Sequence, residues 1–142
     1  MRGTRGARPG ALAAVLLAAL SGCGSVQERE DSAAAAVSRF QESLRASDTA
    51  RGCAALAPGT RDELEQTAEL PCTRALPDAG LPGAGLPEAD DVSVVDVYGR
   101  QARVVTNRDT LFLSSFPGGW KITAAGCAER PGMPYQCLVK GG

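Results

Sequence analysis

The chain has 142 residues, 15 of them basic and 16 acidic, with no histidine, five cysteines and only 4% aromatic residues. That length suits one domain with a single core. Without histidine there is no Ser–His or Cys–His nucleophilic system, and without a basic cluster nucleic-acid binding is disfavoured. The apolar fraction depends heavily on alanine, so a modest core is expected, one that cross-links would help.

Residues 1–22 read in three parts. Arg2, Arg5 and Arg8 form a positive opening, residues 11–20 (ALAAVLLAAL) are apolar, and Leu20, Ser21 and Gly22 lead into Cys23. Ten apolar residues are too few to span a membrane, which takes about 20, but they suit the short core of a secretory signal peptide. The stretch LSGC resembles the lipobox of bacterial lipoproteins. That resemblance implies that the Cys23 thiol is acylated and that Cys23 becomes the first residue of the mature chain. The alternative is an ordinary secretory signal followed by a chance cysteine. Two acyl chains suffice for stable anchoring, so the expected address is the cell membrane, lipid-anchored on its extracytoplasmic face. Without the three leading arginines the chain carries 12 basic against 16 acidic residues. Attraction to an anionic leaflet is therefore not expected, and the lipid is the expected membrane link.

Setting Cys23 aside leaves Cys53, Cys72, Cys127 and Cys137. Four cysteines in an oxidising compartment suggest two disulfides, with three possible connectivities. Nearness in sequence favours Cys53–Cys72 and Cys127–Cys137. A four-cysteine zinc site is the rival, but it usually shows close C-x-x-C pairs and these spacings do not. Neither a metal nor a cofactor is expected.

Along the chain, residues 23–32 read as a polar tether, and a single domain is expected over 33–142. Ala33, Ala36, Val37, Phe40 and Leu44 recur at helical spacing, opposite Arg39, Glu42 and Arg45, with Ser32 as a cap. Asp48 is a plausible N-cap for a short helix carrying Cys53 and Leu56, ended by Pro58-Gly59. Thr60 and Glu63 fit a capping box for a third helix, and Pro71-Cys72 opens one more turn before Pro77. Residues 77–91, rich in Pro, Gly and Ala, form a linker. Four strand signals follow at 92–98, 102–106, 110–116 and 120–125, separated by short turns. They predict an antiparallel meander. Helices first and strands later indicate α+β, with N-terminal helices packed on a curved antiparallel sheet and two disulfides.

This order of a helix with Phe40 and Leu44, a cysteine helix, a capping box and a meander resembles a nuclear transport factor 2-like cone. GGWKITAAGC at 118–127 and PYQCLVKGG at 134–142 resemble the C-terminal regions of small actinobacterial lipoproteins with that fold. The superfamily includes isomerases, cyclases and non-catalytic binding subunits, so the resemblance leaves the function open.

Asp96 is the candidate base. It alternates with Val92, Val94 and Tyr98 on one strand face, where a cavity carboxylate could take a proton while Tyr98 or Tyr135 served an oxyanion. The opposite face holds Ser93, Val95 and Val97, and burial of that face would leave Asp96 in solvent. Trp120 is expected in core or hairpin packing, and Phe112 and Phe116, which share a strand face with Ser114, in the core rather than in a pocket. Arg100, Arg103 and Arg108 form either a small basic patch or a solvated sheet edge, and the edge is preferred. The favoured reading is a non-catalytic, membrane-anchored extracytoplasmic lipoprotein that binds an envelope protein or small apolar ligand. The alternative is an isomerase-like or cyclase-like enzyme using an acidic base in the cone cavity.

Overall fold

A computed structural model describes Gly3 and residues 24–141. The signal segment and Cys23 lie outside the described residues. Among the described residues four helices precede five strands: α1 Val26–Arg45, α2 Thr49–Ala55, α3 Pro58–Ala68, α4 Cys72–Asp78, β1 Val92–Tyr98, β2 Gln101–Thr106, β3 Thr110–Phe116, β4 Gly119–Arg130 and β5 Met133–Lys140. The strands make one antiparallel sheet in the order β1-β2-β3-β4-β5. The expected α+β meander is present, with one strand more than the four read from the sequence.

The first correction lies at α1, where most of the expected tether is helix. Ser25, not Ser32, is the N-cap: its hydroxyl accepts from the Glu28 N–H at 3.1 Å, and the Glu28 carboxylate accepts from the Ser25 N–H at 2.6 Å. This reciprocal box satisfies two donors that would otherwise face water alone. Gln27 adds a one-turn bond to Asp31. The polar residues before Ala33 therefore extend the helix along its solvent side, while Ala33, Ala36, Val37 and Phe40 face the core as their spacing predicts.

The second correction concerns Pro58 and Thr60. Pro58 does not end α2 but begins α3, the position where its missing N–H costs nothing. Thr60 makes no capping box; its buried hydroxyl donates instead to the Thr123 carbonyl at 3.0 Å. The Ala57 N–H donates to the Ile122 carbonyl at 2.8 Å, and the Gly141 N–H to the Thr123 carbonyl at 3.0 Å. The Thr60 and Ala57 bonds join the start of α3 to the half of β4 that β5 does not pair, and the Gly141 bond ties the residue after β5 to the same place. Gly141 lies so close that a Cβ there would stand 2.5 Å from Thr60 backbone atoms.

The disulfides are Cys53–Cys72, tying α2 to α4, and Cys127–Cys137, joining directly paired residues of β4 and β5. The core between α1 and the sheet contains Val37, Phe40, Leu76, Val104, Leu111, Leu113, Ile122 and Val139. Burying side chains of this size contributes about 1.5–3 kcal/mol each. The linker adds to it: Leu81 is buried, so residues 79–91 strap the helices to β1.

Candidate functional site

One extra residue sets the phase of β1. Val92 opposes Thr106, but the next pair is Val94 with Val105, so the register shifts around Ser93. Such a bulge re-aims the side chains that follow it. Val92, Val95 and Val97 all pack against the core, while Val94 and Tyr98 are exposed. Val92 therefore does not share a face with Asp96, contrary to strict alternation. Asp96 lies on the sheet face turned away from the helices.

On β2 and β3 the core residues Ala102, Val104, Leu111 and Leu113 alternate with outward Arg103, Val105, Phe112, Ser114 and Phe116. Phe112 and Phe116 are thus not core residues, contrary to the expectation from sequence. The two leucines hold the inward phase, and the rings are half-buried on the open face.

Across this face runs a polar chain. The Arg103 guanidinium donates to one Asp96 carboxylate oxygen through Nε at 3.0 Å and a terminal nitrogen at 2.6 Å. Its other terminal nitrogen donates to the Tyr135 hydroxyl at 3.2 Å, and that hydroxyl donates to Glu129 at 2.6 Å. The Tyr135 ring meets Phe112 edge-on with centroids 5.1 Å apart. Hydrogen bonding to Asp96, and next to Tyr135, holds the Arg103 guanidinium above its ordinary pKa. Asp96 and Tyr135 thus share a site through Arg103, and Tyr98 stands apart at the β1–β2 end. Asp96 is open to solvent at 27% and already occupied by two guanidinium N–H groups. A cavity base would instead be enclosed and aimed at a substrate proton.

The three arginines read together from the sequence are separated by the fold. Arg103 serves Asp96, Arg100 donates to the Ser115 carbonyl, and Arg108 pairs with Asp90 and Glu88. Trp120 packs half-buried against the core, with the Arg29 guanidinium 5.7 Å from its ring centroid.

A second polar cluster was not legible as a site. Asp90, its side chain 2% exposed, accepts from Gln41 at 2.7 Å, from Arg108, and from the Thr106 hydroxyl at 3.4 Å. Beside it Asp109 accepts from the Gly126 and Cys127 N–H groups at 2.9 and 3.1 Å. Burial is the main cause that pushes the Asp109 carboxyl above its ordinary pKa; the backbone bonds oppose this and the charge of Asp90 adds to it. The one available signal was Gln41, four residues after Val37 on the apolar face of α1. Among the described residues no group of three ligating side chains could hold a metal ion. The cleft where the open face meets α3 measures about 360 Å³ and is lined by Thr60, Gln101, Ser114, Phe116 and Thr123, without Asp96.

No family model, curated protein or solved structure matches this chain.

Proposed function

We propose that this protein is a lipid-anchored extracytoplasmic lipoprotein, non-catalytic, that binds a protein partner through the open face of its sheet. The observation that carries the reading is where the large rings go. Of six aromatic residues in the chain, Phe112, Phe116 and Tyr98 lie on the face turned from the helices, and Tyr135 packs on Phe112 there. A chain short of aromatics for its core has placed most of them outside it, two of them, Phe112 and Tyr135, beside Arg103. Aromatic and arginine side chains are the groups that dominate protein–protein hot spots. The signal-like segment, LSGC and two cystine pairs support an exported, anchored address. The helix-then-meander order supports kinship with nuclear transport factor 2-like domains, whose non-catalytic members are binding subunits.

The test is site-specific photo-crosslinking in intact envelopes. A photoreactive side chain at Val94, on the open face, is expected to capture one discrete partner. One at Arg39, on the solvent side of α1, is expected to capture none. Arg103→Glu should abolish the Val94 product without loss of the folded protein. Equal capture from both positions, or capture indifferent to Arg103→Glu, would refute the open face as the binding surface.

A further inference from the structure

We propose that one end of the domain rests on the lipid headgroup layer: the first turns of α1, the β1–β2 turn and the β3–β4 turn. The inference rests on the anchored-lipoprotein reading and adds an orientation to it. Only Gly24 separates Cys23 from Ser25, the N-cap of α1. Two residue steps span at most about 7 Å. An acylated Cys23 therefore keeps the start of α1 within that distance of the headgroups, with no length of flexible chain between.

Which surfaces come down with that end follows from Arg29, one turn into the helix. Its guanidinium donates to the Gly99 carbonyl in the β1–β2 turn and stands over the Trp120 ring at the start of β4. Both turns are thus fixed beside the start of α1. They present what an interfacial layer accommodates. Val26 is 65% exposed, Tyr98 is 71% exposed, Trp120 is half-buried and Arg100 is exposed. Tyrosine and tryptophan favour the headgroup level because each joins an apolar ring to a polar atom. The charged residues of these segments are mixed in sign, Arg29 and Arg100 against Glu28 and Glu30. Ring insertion at a short tether, and not bulk attraction to an anionic surface, holds the seat. The opposite end of α1, 20 residues on, stands about 30 Å away.

Trp120 is the only tryptophan, so it reports its own position. The full chain, processed and acylated in a bacterial envelope, would be reconstituted into vesicles of phosphatidylcholine and phosphatidylglycerol. A fraction of the lipid would carry a nitroxide near the headgroup. Trp120 emission is expected to fall roughly twofold relative to vesicles without nitroxide, as for a ring in the interfacial layer. In the variant Trp120→Phe/Ala46→Trp the ring sits at the exposed far end of α1, and emission is expected to stay unchanged. Undiminished Trp120 emission from acylated protein would overturn the seat and leave the anchor intact. Equal quenching at both positions would also overturn it, since the domain would then lie flat. A Cys23 peptide without acyl chains, from protein that does not float with vesicles, would overturn the anchored reading and this inference with it.

Discussion

Removing the Arg108 side chain should expose the cost of a carboxylate buried without its cation. Asp90 belongs to the strap leading into β1, and its side chain is 2% exposed. Arg108 comes from the β2–β3 turn and Gln41 from α1, so one carboxylate joins three parts of the chain. Breaking a buried pair by deleting one partner typically costs 3–5 kcal/mol, because the remaining charge stays desolvated. Arg108 is itself 27% exposed, and Asp90 keeps its bonds to Gln41 and Thr106. Both facts place Arg108→Met near the lower end, at about 2–3 kcal/mol. With a urea slope of about 1.5 kcal/mol/M, the unfolding midpoint should fall by about 1.3–2 M. Adding Asp90→Asn should recover part of the loss at neutral pH. Circular dichroism through urea titrations reads both. A loss below about 0.5 kcal/mol, the range of ordinary surface changes, would refute the pair as a fastening of the strap.

Three further outcomes follow from other contacts. Gly141→Ala should destabilise by about 1–3 kcal/mol, since its Cβ would stand 2.5 Å from the Thr60 backbone, which no rotamer change relieves; an unchanged urea midpoint would contradict that approach. The Asp109 carboxyl, raised by burial, binds its proton more tightly in the folded state. Its contribution is thus fully present below the ordinary aspartate range and is lost as pH rises through the raised value. The difference in midpoint between the protein and Asp109→Asn should change across that window, and a flat difference would exclude the effect. Closing loops with separations of 19 and 10 residues should contribute about 3 kcal/mol each in the chain-entropy picture. Under native conditions a mild reductant should open Cys127–Cys137 first, because Cys137 is part-exposed while Cys53 and Cys72 are buried. Alkylation and peptide mass analysis would show labels at Cys127 and Cys137 alone; earlier labelling at Cys53 would reverse the order.

Much of the fold was legible where a period was strong and one face was buried. The apolar spacing from Ala33 to Leu44 placed α1, and three of the four expected strands matched closely in bounds, the fourth running on past Ala125 to Arg130. Other features failed for local reasons. The Ser25–Glu28 box was overlooked because the polar residues between it and Ala33 show no apolar period, although caps need none to start a helix. The fifth strand was hidden by Pro134 and weak alternation in MPYQCLVK; as the last strand of the sheet, β5 tolerates a proline that an interior strand would not. The site depended on phase, and the phase depended on the one-residue bulge near Ser93. No sequence period encodes that bulge, so whether Asp96 faced a cavity or solvent could not be read from residues 92–98 alone.

The same phase links the core to the open face. Had β1 continued without the bulge, Val92 and Asp96 would share a side, and either an unpaired carboxylate would enter the core or a valine would leave it. The extra residue lets Val92, Val95 and Val97 all pack inward. It also sets Asp96 opposite Arg103, its antiparallel partner on β2. Cross-strand charge pairs of this kind contribute well under 1 kcal/mol when part-exposed, so stability alone gives little reason for the arrangement. What the pair does fix is the guanidinium plane, whose third nitrogen then reaches Tyr135 beside Phe112. An arginine held in place by a carboxylate loses less side-chain entropy when a partner docks than a free one. On the proposed reading, this fixed guanidinium is what makes the open face a surface organised in advance for contact.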